Sequence, residues 1–411
     1  MCGGLPCRLV PVAASMRRCL AAISAVSDAR SLLIGRRGHW RIRKTRFMNT
    51  RSGRGAVGVG AVIISLGSIA WALAATSMAA VHAAEARALG PGHTAAMPGE
   101  DELALLAHDA RLAAMIVVAC GLAVAVAALP RRSALFGWLG GVVAVVVANA
   151  TLGRVVDGGS VVIAAGGLVV VSCAAVAASV RVVARRDRAR DAEVDVDTDG
   201  QPFLVVAGVL AAGTLPVLVL QGMGSERYVD WVPADLATAN VVTALGLAVG
   251  TVAATVLLAR RVVGVVLGVV MPVVALVVLV EPSGSSWQVR DGGWVMGVVL
   301  VLTSAPLLLG SAGRSGSQRG RAAAATGLIG LGGLLAFAPQ LLVPPIIAGG
   351  MFGMVLTAPA GAYVNYDGLP VIGGGVLIAA VLFLLHLLMR GGATPSAVSL
   401  EVPGAAHQPS R

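Results

Sequence analysis

Ten stretches of apolar residues, each ended by arginines or a short polar loop, constrain this chain more than any other feature. They run over roughly 56–79, 112–130, 133–152, 160–180, 203–222, 238–259, 262–281, 293–311, 323–343 and 369–389. A helix rising about 1.5 Å per residue needs about twenty residues to cross a hydrocarbon layer about 30 Å thick. In lipid the backbone must be satisfied within helices or closed barrels. Barrel strands alternate apolar and polar residues, and these runs do not. The expected fold is therefore an all-α integral membrane protein, a bundle of about ten transmembrane helices.

A soluble alternative fails on charge. Only 12% of the residues are charged and 57% are hydrophobic, where a soluble chain carries roughly 25% charged residues. Among 31 basic residues Lys44 is the one lysine, so the net charge of +11 needs a topological explanation before a functional one. With the N-terminus in the cytoplasm, the inner segments hold 26 of the 31 basic residues and 8 of the 20 acids. The outer loops then hold the other 5 basic residues and 12 acids. That asymmetry follows the positive-inside rule, and moving the count by one helix breaks it. The expected location is the plasma (inner) membrane of a bacterium, multi-pass, with N- and C-termini cytoplasmic. The partners expected are the lipid bilayer and other membrane proteins or a homo-oligomer, with no nucleic acid.

Punctuation between the runs recurs. Arg131-Arg132, an apolar run, Asp157-Gly158-Gly159 and a second run form one unit. Arg260-Arg261, a run, Arg290-Asp291-Gly292-Gly293 and a run form another. A looser third unit spans Arg314 to Arg321, a run, Asp367-Gly368 and the last run. The pattern predicts a parallel 4+4+2 helix internal repeat, both long copies pointing the same way across the membrane. Residues 1–55 form a basic cytoplasmic segment, with Met48 as a second candidate start. Residues 56–190 make the first four-helix repeat, 191–202 an acidic cytoplasmic linker, and 203–321 the second four-helix repeat. Residues 322–390 hold the final two helices, and 391–411 a disordered cytoplasmic tail. Pro339, Pro344 and Pro345 interrupt the last long apolar stretch, so 344–357 is expected to be a re-entrant or outer-surface segment.

Chemistry-bearing residues are sparse. Asp157, Asp291 and Asp367 each precede a helix that starts at the outer face, where a carboxylate caps free N–H groups and complements the helix dipole. Gln340 and Asn149 are the polar residues within apolar stretches that, with those three aspartates, could line a substrate path. Glu100, Asp101 and Glu102, in the first outer loop, could serve a lipid-linked sugar transferase. They also follow Pro98-Gly99 and precede a helical pattern, where acids in a first turn are ordinary. His82, His93, Met97 and His108 are soft-metal ligand types at spacings that match no ligand motif, so no metal is expected, nor any other cofactor.

No acid, lysine or arginine falls in the middle of an apolar run, and His386 is the ionisable group in the last one. Trp71, Trp231, Trp287 and Trp294 read as interface anchors. Gly137/Gly141, Gly246/Gly250, Gly264/Gly268 and Gly349/Gly353 are spaced for close helix approach. Cys120 and Cys173 read as small buried hydrophobes. No Walker loop, dinucleotide fingerprint, zinc-protease motif or nucleophile elbow is present. The expected function is a permease-like transport or solute-binding membrane component without its own ATPase. The alternatives are a non-catalytic scaffold or assembly subunit of a cell-envelope complex, and the transferase; an enzyme is the lesser expectation.

Overall fold

The structure, a computed structural model, describes residues 50–88, 100–152, 161–189, 201–224, 234–258, 265–272, 289–311, 318–338 and 371–391. Every element among them is helical, with no strand. We number the long helices α1 (Thr50–Ala88), α2 (Glu100–Val126), α3 (Arg131–Leu152), α4 (Val161–Ala189) and α5 (Gln201–Gly224). They continue as α6 (Ala234–Leu258), α7 (Val289–Ser311), α8 (Gln318–Phe337) and α9 (Val371–Gly391). Eight of these nine are long and apolar enough to cross a membrane; in α7 the apolar part, Val295–Ser311, is shorter. Of the expected run 262–281, residues 265–272 are described, and they are helical.

Glycine sets how closely the helices meet. A Cβ placed on Gly121 of α2 would lie 2.7 Å from the Ile64 amide nitrogen of α1. One on Gly60 would lie 2.7 Å from the Gly121 carbonyl oxygen, and one on Gly67 2.9 Å from that of Ala114. Backbones therefore touch along the α1–α2 seam from Gly60 to Gly67. Rising numbers on α1 meet falling numbers on α2, which makes the two antiparallel. Gly213 of α5 sits as tightly on Gly375 and Ala379 of α9, and Gly297 of α7 on Gly332 of α8. In lipid the hydrophobic effect does not drive helices together, so this close van der Waals packing is what association rests on.

The glycine pairs singled out by spacing contribute less. Gly141 faces the Leu122 side chain and Gly246 the Val117 side chain at short range. Gly268 meets Thr255, whereas Gly137 and Gly250 have ordinary clearance. Gly264, Gly349 and Gly353 lie outside the described residues.

Two helices form the interior. In the span Ala107–Val126 of α2 89% of the residues are buried, and in Gln201–Leu218 of α5 78%, against 28% for α3 and 22% for α4. Around them α1 packs on α2, α4 and α6, while α5 packs on α6, α7, α9 and α2. The outer helices present apolar side chains outward: Phe136, Leu139, Val143 and Val147 on α3, and Ile163, Val170 and Val171 on α4. Such a surface suits hydrocarbon and not water. Interior hydroxyls bond back along their own helices, as in Ser68 to the Ile64 carbonyl, Thr243 to Ala239 and Thr303 to Val299. Ser and Thr make this i−4 bond when no other partner is near.

Candidate functional site

Apolar residues from 112 onward set the expected start of the second span, yet α2 begins twelve residues earlier, at Glu100. No glycine or proline separates Glu100 from Arg111, so the helix runs through without a break. His108, Asp109 and Arg111 consequently enter the bundle, only 4%, 3% and 5% exposed. Arg111 lies on the buried stretch of α2 directly before the apolar run from Leu112. A buried ionisable side chain beside a span is expensive, and it marks a candidate site.

Three antiparallel helices build the cluster around it. Trp71 comes from α1, Arg111 from α2 and Asn149 from α3, all near the same end of the bundle. The Arg111 Nη2 and the Trp71 Nε1 both donate to Asn149 Oδ1, each at 2.9 Å. The Arg111 guanidinium carbon stands 5.9 Å from the Trp71 ring centroid, within cation–π range. Two donors converging on one amide oxygen fix the orientation of the Asn149 amide. Its Nδ2 then points elsewhere, buried and with no hydrogen-bond partner. His108 Nδ1 lies 3.9 Å from Asp109 Oδ1 on the same turn of α2.

Apolar residues close the cluster in. Ala70, Ala72, Leu112, Ala148, Ala164, Ala165 and Leu168 pack with Trp71 on one side, and Ala107, Ala110, Leu236 and Ala239 on the other. In such surroundings each unmet polar atom costs about 1–3 kcal/mol, so the unpartnered Asn149 Nδ2 is a real deficit.

A second polar contact lies on α7 and α9. The Ser311 Oγ and the His386 Nδ1 are 2.8 Å apart, both side chains buried. Ser311 Oγ is also 3.0 Å from the Leu308 carbonyl. If its hydrogen goes there, the serine accepts from an Nδ1-protonated imidazole. This tie fastens the end of α7 to α9. Asn240 Oδ1 on α6 and Ser304 Oγ on α7 are also buried without a hydrogen-bond partner.

The residues expected to matter are distributed unevenly. Asn149 is at the centre of the cluster and His108 at its edge, buried rather than in a solvated loop. Trp71 is fully buried, not an interface anchor. Its partner Asn149 and the burial of Arg111 account for that, because the indole N–H replaces a water contact with a protein one. Asp291 falls within the first turn of α7 rather than before it, and Glu100, Asp101 and Glu102 open α2. His82 lies within α1. Asp157, Asp367, Gln340, His93 and Met97 are outside the described residues, as is 344–357. Among the described residues no group of three or more His, Cys, Asp or Glu side chains is placed to hold a metal.

Arg111 and Trp71 were legible only through their neighbours. The capping pattern after Pro98-Gly99 predicts a helix from residue 100, and following it unbroken carries Arg111 into the bundle. Trp71 has the simpler signal of a polar N–H in mid-run.

By fold and composition this is an all-α, multi-pass membrane bundle with a buried Arg–Asn–Trp cluster near one end. No protein family, curated protein or solved structure matches the chain.

Proposed function

We propose that the protein is a permease-like, solute-binding component of the plasma membrane, without its own ATPase, and that the Trp71–Arg111–Asn149 cluster is its solute contact. The observation that carries this reading is Arg111, a charged side chain buried in the bundle together with an amide whose N–H groups are unmet. Charged groups at such depth are rare unless they face a path or a ligand.

The arrangement around the cluster belongs to the same proposal. Ten spans with both termini in the cytoplasm put the Trp71 end of α1 at the outer face. A parallel repeat relates α1 to α5, α2 to α6 and α4 to α7. Contacts that support it come in matched pairs: α1 packs on α6 as α5 does on α2, and α1 on α4 as α5 on α7. Gly246 faces Val117 and Gly250 faces Cys120, so α2 and α6 run parallel, as duplicated helices in such a repeat should.

The backbone-tight α1–α2 seam favours a second reading, a scaffold subunit with a solid interior. One comparison separates the two. Membrane vesicles from cells overproducing the wild type, the Arg111→Gln variant or neither are analysed for trapped solutes by mass spectrometry. A permease changes the level of at least one solute, and Arg111→Gln restores the level of the control. Unchanged vesicle content, with other envelope proteins copurifying after gentle detergent extraction, supports the scaffold instead. For the transferase, full function in a Glu100→Ala, Asp101→Ala, Glu102→Ala triple variant ends the idea.

A further inference from the structure

We infer that Asn149 Nδ2 is the contact point for a carbonyl oxygen of a membrane-soluble molecule, such as a lipid ester or a quinone. The inference rests on reading this cluster as a solute contact and names the chemistry of what it takes.

Hydrogen-bond arithmetic leads there. Asn149 offers one acceptor oxygen and two N–H donors. The oxygen is taken by Arg111 and Trp71, while the amide nitrogen, on a residue 1% exposed, has no partner. What the Asn149 amide lacks is therefore an acceptor for its N–H groups. A neutral carbonyl meets the need without importing charge into lipid, whereas a carboxylate or phosphate brings one that must be desolvated.

Position supports a ligand arriving from the bilayer. Asn149 lies about 5 Å inside the end of α3 at Leu152, taking 1.5 Å per residue. One face of α3, Leu139, Val143 and Val147, is exposed to the surrounding hydrocarbon, and the opposite face carries Val145, Ala148 and Asn149 inward. A single helix thus stands between lipid and the unmet N–H. A molecule already dissolved in the membrane needs only a shift of α3 to reach it.

The test is retention of added molecules by the purified full-length protein, read by native mass spectrometry. The probes are a diester phospholipid, its diether analogue without ester carbonyls, and decylubiquinone. Wild type is expected to retain the diester lipid or the quinone, and the diether analogue at least fivefold less than the diester if the lipid is the source. Asn149→Asp replaces the donor by an acceptor while still pairing with Arg111, and should weaken retention about five- to tenfold, the scale of one lost hydrogen bond. Asn149→Thr, whose hydroxyl can bond back to the Val145 carbonyl, carries the same expectation should the aspartate variant not fold. Gly58→Ala, at a position of α1 with nothing near its missing Cβ, should stay within about twofold of wild type.

Equal retention by wild type and the Asn149 variants overturns the inference, as does retention of none of the probes or of diester and diether lipid alike without the quinone. Binding at Asn149 with unchanged vesicle content leaves the site standing and removes the permease reading. Altered vesicle content with undiminished binding to Asn149→Asp removes the site alone.

Discussion

Arg111 on α2 and Asn149 on α3, 38 positions apart in sequence, are joined by a 2.9 Å hydrogen bond inside the bundle. That bond makes the first three helices a unit with a polar centre, since Trp71 of α1 donates to the same oxygen. The pair therefore separates what this protein needs to fold from what it has beyond that need.

Removing the indole N–H tests how much the centre contributes to stability. Trp71→Phe keeps a ring and loses one hydrogen bond, and should lower stability by about 1 kcal/mol. Trp71→Ala empties the space as well and should lower it by about 3–5 kcal/mol. Unfolding titrations in sodium dodecyl sulfate against a folded-state detergent give both values.

The α1–α2 seam has a sharp prediction at Gly121. A side chain there meets the Ile64 backbone, which no rotamer change relieves, so Gly121→Leu should abolish the folded, monodisperse species. Gly58, on the same α1 helix with nothing near its missing Cβ, should accept alanine without loss. Size-exclusion profiles of the two variants make the comparison.

Ser311 and His386 should behave as a coupled pair. Ser311→Ala leaves the imidazole nitrogen without this partner and should cost about 1–3 kcal/mol, while replacing both residues with apolar ones should recover much of it. A double-mutant cycle of Ser311→Ala and His386→Phe, read by the same unfolding titration, is expected to show coupling of about 1 kcal/mol.

Orientation is checked by chemistry from outside. In a cysteine-free background, Asp291→Cys should react with a membrane-impermeant maleimide added to intact spheroplasts, and Arg314→Cys should not. Modification of Asp291→Cys from the cytoplasmic side alone would overturn the assignment of every loop.

Much of this architecture is legible in the chain because lipid leaves the backbone few choices. Length and apolarity alone predict helices, and α3, α6 and α9 fall within a few residues of the runs 133–152, 238–259 and 369–389. Helix ends at charged residues are less legible. A run that begins at residue 112 leaves Arg111 out, but helical propensity from Glu100 onward carries that residue inside, because a paired guanidinium can be buried where a free one cannot. Close helix contacts were also hidden. Gly60 and Gly121 approach each other across two helices, and no spacing along one helix reports a meeting between two. Asn149 stood out for its polarity, whereas its partners depend on a fold that brings three helices together.

The measurement that bears most directly on the central claim pairs stability with vesicle content for Asn149→Asp. A carboxylate beside Arg111 makes a stronger, charge-assisted pair than the amide, so the variant should unfold at an equal or higher detergent fraction than wild type. Its vesicles should nonetheless carry the solute profile of cells lacking the protein, because the free N–H is gone. A cluster that only holds helices together predicts the opposite. In that case Asn149→Asp would keep the wild-type profile along with its stability, and the proposal that Trp71, Arg111 and Asn149 contact a solute would fall.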